Sequence, residues 1–190
     1  MNITSYFIGI ALKNEYFSSL YKDLNEYSLN NRIENTIELQ NNNSLHVTLY
    51  YLDKNISDEI DELRNDINML KKNEKEYVLF IEENKYFKRN NQDFLSYLSI
   101  QNPHQLITIH DEISQKYKKN SIPDNHRLYI PHISLFKILD YEKFEKHREK
   151  VEQIAKYHIE NLKVKNILNG FYVFAVDSTT KPETQIPIEI

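Results

Sequence analysis

The chain has 190 residues, 40% of them hydrophobic, which is enough for one globular domain around a buried core. Its net charge of −4, from 24 basic and 28 acidic residues of interspersed sign, argues against the broad positive field that holds long duplex nucleic acid. The sequence contains no cysteine, no apolar run near the roughly 20 residues of a membrane span and no secretory leader pattern, so we expect a cytoplasmic protein without disulfides, a thiolate nucleophile or a membrane partner.

The hydrophobic periodicity predicts short strands mixed with helices. In chain order we expect a strand at 4–12, a helix at 15–29, strands at 34–39 and 45–52, a helix at 57–72, strands at 76–84 and 93–100, a helix from 103 to about 119, a strand at 127–138 and a helix at 140–156. Two further strands are expected at 161–168 and 170–176, with Asn169 and Gly170 as the hairpin turn between them. This order indicates an α+β fold.

The chain contains no Pro/Gly/Ser-rich linker between its halves. We therefore expect a single bilobal domain over residues 1–177. Residues 178–190 contain two prolines and are interpreted as a loosely attached C-terminal tail.

A short pattern of histidine, an aliphatic residue, a hydroxyl residue and leucine occurs twice, beginning at His46 and at His132. Both copies lie in predicted strands, where residues i and i+2 face the same side, so His46 projects beside Thr48 and His132 beside Ser134. A helical pattern follows each copy, which indicates an internal duplication. Two imidazoles, each beside a hydroxyl, are the groups that acid-base attack on a phosphate ester requires.

The two motifs resemble the signature of the two-histidine (2H) phosphoesterase superfamily, and residues 6–12 are similar to the N-terminal strand of that family. The resemblance covers roughly residues 4–176. It implies a hydrolase with two pseudo-symmetric lobes of antiparallel sheet plus helices around a central cleft. Pro131 precedes the second histidine, as in many members, whereas Leu45 precedes the first, and the chain is poor in glycine. These differences leave the subfamily and its substrate open.

In such a cleft one neutral histidine would take a proton from the attacking water or ribose hydroxyl while the other, protonated, gives one to the leaving oxygen. We expect His46 and His132 to form this catalytic pair, and the sequence does not assign which one is the base. Thr48 and Ser134 would donate hydrogen bonds to phosphate oxygens. Strict alternation places Tyr50 on the face of His46, as a candidate for phosphate or base contact, with core packing an equal alternative. We expect neither a metal nor another cofactor, because no tight ligand cluster or Gly-rich phosphate loop is present.

Other candidate residues have structural interpretations. His110 lies on the apolar stripe of its predicted helix and is interpreted as a packing residue. Residues 85–89 combine basic and aromatic side chains, as a nucleotide-binding strand would, but a solvated loop is the favoured interpretation. Lys137 lies on the face opposite Ser134 unless a bulge intervenes. Four further histidines have no motif and are expected to be solvated or structural: His104, His126, His147 and His158.

The sequence therefore predicts a metal-independent phosphodiesterase that acts on a small nucleotide or a short oligonucleotide. The resemblance implies opening of 2′,3′-cyclic phosphates or RNA ends, cleavage of 2′-5′-linked oligoadenylates, or degradation of cyclic oligonucleotide immune signals, an anti-defence activity. A compact, acidic chain of this length resembles the last two groups at least as well as an RNA-processing enzyme. The alternative is a nucleotide-binding module without turnover. The two intact motifs disfavour it, because binding alone needs no pair of proton-transfer groups.

Overall fold

The computed structural model describes residues 3–52, 60–117 and 128–188. Within these ranges the strands are β1 (Ile3–Leu12), β2 (Ile37–Leu39), β3 (His46–Leu52), β4 (Ile81–Arg89), β5 (Gln92–Ile100), β6 (His132–Ile138), β7 (Leu168–Asp177) and β8 (Thr184–Ile188). The α-helices are α1 (Ser18–Asn31), α2 (Ile60–Lys72), α3 (His104–Lys116) and α4 (Tyr141–Leu162). Three short 3-10 helices cover Asn14–Phe17, Asn42–Ser44 and Glu74–Glu76.

The strands form two four-stranded antiparallel sheets. The strand order is β3-β1-β7-β8 in the first sheet and β2-β6-β5-β4 in the second. The motif strand β3 is the edge strand of the first sheet, whereas β6 lies between β2 and β5 in the second. Each motif strand pairs on one side with a long strand, β1 or β5. The predicted α+β class is confirmed.

One hydrophobic core joins both sheets and the helices packed against them. Helix α2 packs against β7, α3 against β3, and α4 against both β4 and α1. The largest fully buried side chains include Phe17, Phe136, Phe144 and Phe171. Burial of each such ring stabilises the fold by roughly 1.5–3 kcal/mol. No helix within the described residues is long and apolar enough to cross a lipid bilayer.

The predicted hairpin at Asn169 and Gly170 is wrong. Helix α4 begins after its N-cap residue Asp140 and continues to Leu162. The carboxylate of Asp140 accepts a hydrogen bond from the backbone nitrogen of Lys143 at 3.1 Å. Asn169 and Gly170 lie inside β7, where Gly170 pairs with β1. A hairpin turn needs a strand on each side, and the strand expected at 161–168 is absent, because α4 continues to Leu162 and residues 163–167 form turns and irregular backbone.

Residues 178–188 are not a loose tail. Thr184–Ile188 form β8, which pairs with β7 along its whole length and completes the first sheet. The connection is held by the carboxylate of Asp177, which accepts from the backbone nitrogen of Thr179 at 3.0 Å. Pro187 is tolerated because β8 is an edge strand.

Residues 85–89 are not a solvated loop but the second half of β4. Strand β4 pairs with β5 through a two-residue turn at Asn90 and Asn91, whose φ angles are 51° and 63°. Asparagine tolerates this left-handed backbone, and two such residues in succession form the tight hairpin turn that matches strand twist.

Other predicted elements are present with shifted ends. The strand expected at 127–138 begins at His132, and residues 128–131 precede it without regular structure. The expected start of α2 at 57–59, the expected end of α3 at 118–119, and His126 lie outside the described residues.

Candidate functional site

The two histidine motifs begin the strands β3 and β6, which approach each other where the two sheets meet. The segment ahead of β6 is tied to β3 by Tyr129, whose hydroxyl donates to the carbonyl of Thr48 at 2.9 Å. The rings of His46 and His132 are close enough that positive charge on His132 lowers the pKa of His46. The structure thus brings the two predicted catalytic residues into one region between the sheets.

The two histidines make the same hydrogen bond to their own backbone. Nδ1 of His46 donates to the carbonyl of Ser44 at 2.8 Å, and Nδ1 of His132 donates to the carbonyl of Ile130 at 2.7 Å. A carbonyl oxygen only accepts, so Nδ1 carries the proton in both rings. Nε2 is therefore the atom of each ring that is left to exchange a proton.

His46 lies against a stacked pair of aromatic rings from the next two strands of its sheet. Its ring centroid is 4.7 Å from that of Phe7 on β1 and 5.6 Å from that of Phe174 on β7. Burial lowers the pKa of His46 to about 4, the bond to the Ser44 carbonyl raises it, and the charge of His132 lowers it further. His46 is therefore neutral at neutral pH in the free protein.

His132 has a matching aromatic environment in the second sheet. Its ring makes edge contacts with Phe87 on β4 at 4.8 Å and with Tyr97 on β5 at 5.4 Å, and these two rings stack at 4.1 Å. Burial lowers the pKa of His132, and its bond to the carbonyl of Ile130 partly offsets this effect. The duplication therefore extends from the motifs to the rings that enclose them.

The predicted hydroxyl residues Thr48 and Ser134 lie at the same place on their strands. In both motifs the histidine and the hydroxyl residue are partly exposed, whereas the aliphatic residue and the leucine are buried, as strict alternation predicts. Thr48 shares a hydrogen bond with Tyr51. No described residue forms a hydrogen bond with the hydroxyl of Ser134. The Ser134 hydroxyl is thus free to bind a ligand.

A β-bulge follows the hydroxyl residue in both motif strands. Gly9 of β1 pairs with Thr48 but Ile8 pairs with Tyr50, so Leu49 is an extra residue. A Cβ atom at Gly9 would lie 2.8 Å from a backbone oxygen of β3, so this close approach requires glycine. In β6 the extra residue is Leu135, the leucine of the second motif.

The bulge corrects the prediction for Tyr50. An extra residue reverses the alternation beyond it, so Tyr50 is buried and its hydroxyl donates to the carbonyl of Tyr117 at 3.4 Å. Tyr51 instead shares the face of His46, because both rings lie beside Phe7, with centroids 5.8 Å and 4.7 Å from it. Tyr50 thus packs in the core rather than beside His46, but it also lines the cavity described below, so a contact between Tyr50 and a base stays a prediction.

The second bulge changes the position of Lys137 in the same way. Beyond Leu135 the alternation reverses, so Lys137 lies on the face of Ser134 and not on the opposite face. Its ammonium group is 3.5 Å from the carboxylate of Glu38 on β2.

A cavity of about 530 Å³ opens beside Thr48 and His132. Its walls come from β3, β4, β5, the segment before β6 and helix α3. Phe87 and Lys88 of the basic and aromatic stretch at 85–89 line it, so this stretch forms one wall of the cavity. The volume lies in the range of roughly 300–1,000 Å³ that is usual for small-molecule sites.

His110 was expected to pack in the core, and the structure places it in the wall of this cavity. Its Nδ1 donates to the carbonyl of Leu49 at 2.6 Å, and its ring stacks on Tyr129 with centroids 4.0 Å apart. The apolar stripe of α3 correctly indicated that His110 faces the protein. A polar ring on such a stripe was the only signal in the sequence that a cavity lies there.

The remaining described histidines have structural positions. His147 and His158 link α4 to α1, through the hydroxyl of Tyr27 at 2.9 Å and the carboxylate of Asp23 at 2.8 Å. His104 is exposed at the start of α3. Within the described ranges, no three histidine, aspartate or glutamate side chains converge as metal ligands.

The whole fold is similar to that of several solved structures. TT0787 of Thermus thermophilus superposes with a TM-score of 0.64 at 12% identity, over 97% of this chain and 95% of that one. Escherichia coli LigT complexed with 3′-AMP gives 0.62 at 14% identity, over 99% and 97% of the two chains. Kluyveromyces marxianus Usb1 with uridine monophosphate gives 0.51 at 16% identity, over 98% of each chain. No family model and no curated protein matches the sequence.

These solved structures have the bilobal two-histidine phosphoesterase fold. The fold predicted from the duplicated motif is therefore confirmed over nearly the full length of the chain.

Proposed function

We propose that this chain, which has the fold of the two-histidine phosphoesterases, is a phosphodiesterase that cleaves a small nucleotide or short oligonucleotide by acid-base catalysis between His46 and His132. One observation carries the proposal. Each imidazole is held through Nδ1 by a backbone carbonyl two residues earlier, which leaves both Nε2 atoms for proton transfer. Binding a nucleotide without turnover does not require two imidazoles that are both oriented for proton transfer at Nε2.

In the proposed reaction, Nε2 of the neutral histidine takes the proton of the attacking hydroxyl, and the protonated histidine gives its proton to the leaving oxygen. Burial lowers the pKa of both rings, so a neutral base is readily available. The negative charge of a bound phosphodiester favours the protonated form of the adjacent imidazole, which supplies the acid. Neither proton transfer requires a metal ion.

Ser134 and Thr48 would donate hydrogen bonds to the non-bridging phosphate oxygens, where negative charge accumulates in the transition state. The hydroxyl of Ser134 has no partner among the described residues, which suits this role. Thr48 shares its hydroxyl with Tyr51, so a bound phosphate would compete with the tyrosine for it.

The size of the cavity and the comparisons support a substrate of one or a few nucleotides. The similar structures include LigT complexed with 3′-AMP, with ATP and with NADP⁺, and Usb1 with uridine monophosphate. A cavity of about 530 Å³ beside His132 would accept one nucleoside of such a ligand. Cyclic oligonucleotide immune signals, 2′-5′ oligoadenylates and 2′,3′-cyclic RNA ends all present a phosphodiester next to a nucleoside.

The test is a substrate panel incubated with the purified protein in excess EDTA and analysed by chromatography. The panel contains 2′,3′-cyclic AMP, an RNA ending in a 2′,3′-cyclic phosphate, 2′-5′ triadenylate and cyclic di- and trinucleotides. We expect hydrolysis of at least one member, and its loss in the His46→Ala and His132→Ala variants. His104→Ala, an exposed histidine on α3, is the control that should keep wild-type turnover.

Two results would contradict the proposal. Activity that EDTA abolishes and a divalent ion restores would show metal-dependent chemistry. Nucleotide binding without hydrolysis of any member of the panel would favour the alternative, a binding module without turnover.

A further inference from the structure

The cavity beside His132 presents an apolar surface that no part of the described chain covers. Leu128 and Ile130 at its edge are 88% and 41% exposed, and aromatic side chains of Phe87, Phe94 and Tyr129 line its walls. Exposed apolar residues around a cavity mark a ligand surface. The flat face of a nucleobase fits such walls, because bases stack on aromatic rings.

His110 is a polar group of this wall with a fixed orientation. Its Nδ1 donates to the carbonyl of Leu49 at 2.6 Å, and its ring is nearly parallel to that of Tyr129, at 7°. Tyr129 is itself held by the carbonyl of Thr48. The His110 ring is thus connected to the backbone of the first motif strand in two ways, directly at Leu49 and through Tyr129 at Thr48.

The hydrogen bond to Leu49 determines what His110 offers to a ligand. Because Nδ1 carries the proton, Nε2 of the neutral ring is an acceptor that cannot donate. No described residue forms a hydrogen bond with this nitrogen. The hydroxyls of Tyr50 and Tyr129, which also line the cavity, already donate to backbone carbonyls.

We propose that this cavity is a nucleobase site that selects adenine or cytosine, which carry an amino group at purine C6 or pyrimidine C4, through a hydrogen bond from that amino group to Nε2 of His110. The inference rests on the proposed function, because it assumes that the substrate is a nucleotide, and it adds which part of that nucleotide is recognised. Inosine and uridine carry an oxygen in place of the amino group. That oxygen and Nε2 are both hydrogen-bond acceptors, so neither would gain a hydrogen bond from the other. Leaving both groups without a hydrogen bond weakens binding.

The experiment measures equilibrium binding by calorimetry at pH 8, without turnover. The ligands are AMP against IMP and CMP against UMP, two pairs in which an amino group is exchanged for an oxygen. We expect the wild type to prefer AMP and CMP by about 3- to 10-fold, the usual effect of one neutral hydrogen bond.

Two substitutions of His110 distinguish the roles of its two ring nitrogens. His110→Asn keeps an amide donor near the position of Nδ1, for the Leu49 carbonyl, and removes the acceptor at Nε2. We expect the preference for AMP over IMP to fall below about 2-fold, because AMP loses its hydrogen bond and IMP no longer faces an acceptor. His110→Gln places a carboxamide near Nε2 that can donate or accept, and it should bind AMP and IMP about equally. His104→Asn, the same change on the exposed side of α3, should keep the wild-type preference.

Equal affinity of the wild type for AMP and IMP would overturn the inference, as would an unchanged preference in both His110 variants. Failure of all four nucleotides to bind at millimolar concentration would overturn it as well. A clear AMP preference that depends on His110, in a protein that hydrolyses no member of the substrate panel, would support the base site and contradict only the proposed catalysis. Hydrolysis without any base preference would contradict only the base site.

Discussion

Phe7 and Phe174 pair directly across β1 and β7, and their rings stack with centroids 4.8 Å apart and planes 7° apart. His46 lies against both rings. These rings withdraw the imidazole from water, and burial is the main reason that its pKa is lowered to about 4. The state of the candidate catalytic residue is thus determined by two aromatic side chains that are distant from it in the sequence.

Loss of either histidine should stop the reaction without unfolding the protein. We expect His46→Ala and His132→Ala each to lower kcat by about 10²–10⁴-fold, because each removes one of two proton transfers. Steady-state kinetics on the substrate identified by the panel, with circular dichroism as the check of folding, measures this. Near wild-type turnover in either variant would show that the two-histidine mechanism is wrong.

Loss of either hydroxyl group should lower kcat less than loss of either histidine. Thr48→Ala and Ser134→Ala each remove a hydrogen bond to the charged transition state, so we expect kcat to fall by roughly 10–10³-fold. Thr48→Ser, which keeps the hydroxyl, is the matched control and should stay close to wild type. Mass spectrometry should find no phosphorylated protein during turnover. A phosphoryl group on Thr48 or Ser134 would mean that the hydroxyl is a nucleophile.

The pH dependence of kcat/KM should show an acidic optimum. This parameter reports the free protein, which must hold one proton on the pair of histidines. That singly protonated form is most abundant between the two pKa values. The pKa of His46 is about 4, and the pKa of His132 is lowered from its ordinary value of about 6.5. We therefore expect the maximum of kcat/KM below about pH 6.5, and the maximum of kcat at higher pH, because bound phosphodiester stabilises the protonated ring. A maximum of kcat/KM above pH 7 would contradict this assignment.

Burial of His46 should make the fold sensitive to acid. The folded-state pKa is about 4, below the ordinary 6.5, so between these values the unfolded chain binds a proton that the folded protein does not. Stability from this group is complete above about pH 6.5 and is lost as the pH falls towards 4. Between pH 7 and pH 4 the free energy of unfolding in urea should therefore fall by about 3 kcal/mol less in His46→Gln than in the wild type. An equal loss in both proteins would show that His46 is not buried as a neutral ring.

Removal of one enclosing ring should raise the pKa of His46. Phe174→Leu opens the aromatic pair to water, and we expect the pKa, measured by NMR titration, to move towards its ordinary value. The substitution should also cost about 1–3 kcal/mol of stability, as core changes do. Phe144→Leu, an equally buried ring in the contact of α4 with β6, is the matched control. It should lower stability similarly and leave the titration of His46 unchanged.

Local patterns in the sequence determined the general organisation of the molecule. Each motif places its histidine and its hydroxyl residue on one face, because alternation within a strand needs no information from the rest of the chain. The spacing of apolar residues likewise predicted all four described α-helices, although α4 extends to Leu162 and not to 156. Repetition of the motif indicated the two lobes, since two copies of one pattern fold in the same way.

The tertiary structure decided what depends on pairing between distant segments. The bulges at Leu49 and Leu135 arise from the register with β1 and β5, and they move Tyr50 into the core and bring Tyr51 to the site. Residues 184–188 form the edge strand β8 because they pair with the otherwise unpaired edge of β7. The aromatic rings around each histidine and the position of His110 in the cavity wall come from separate elements. Such contacts follow from the packing of sheets and helices on one core, which no local sequence pattern records.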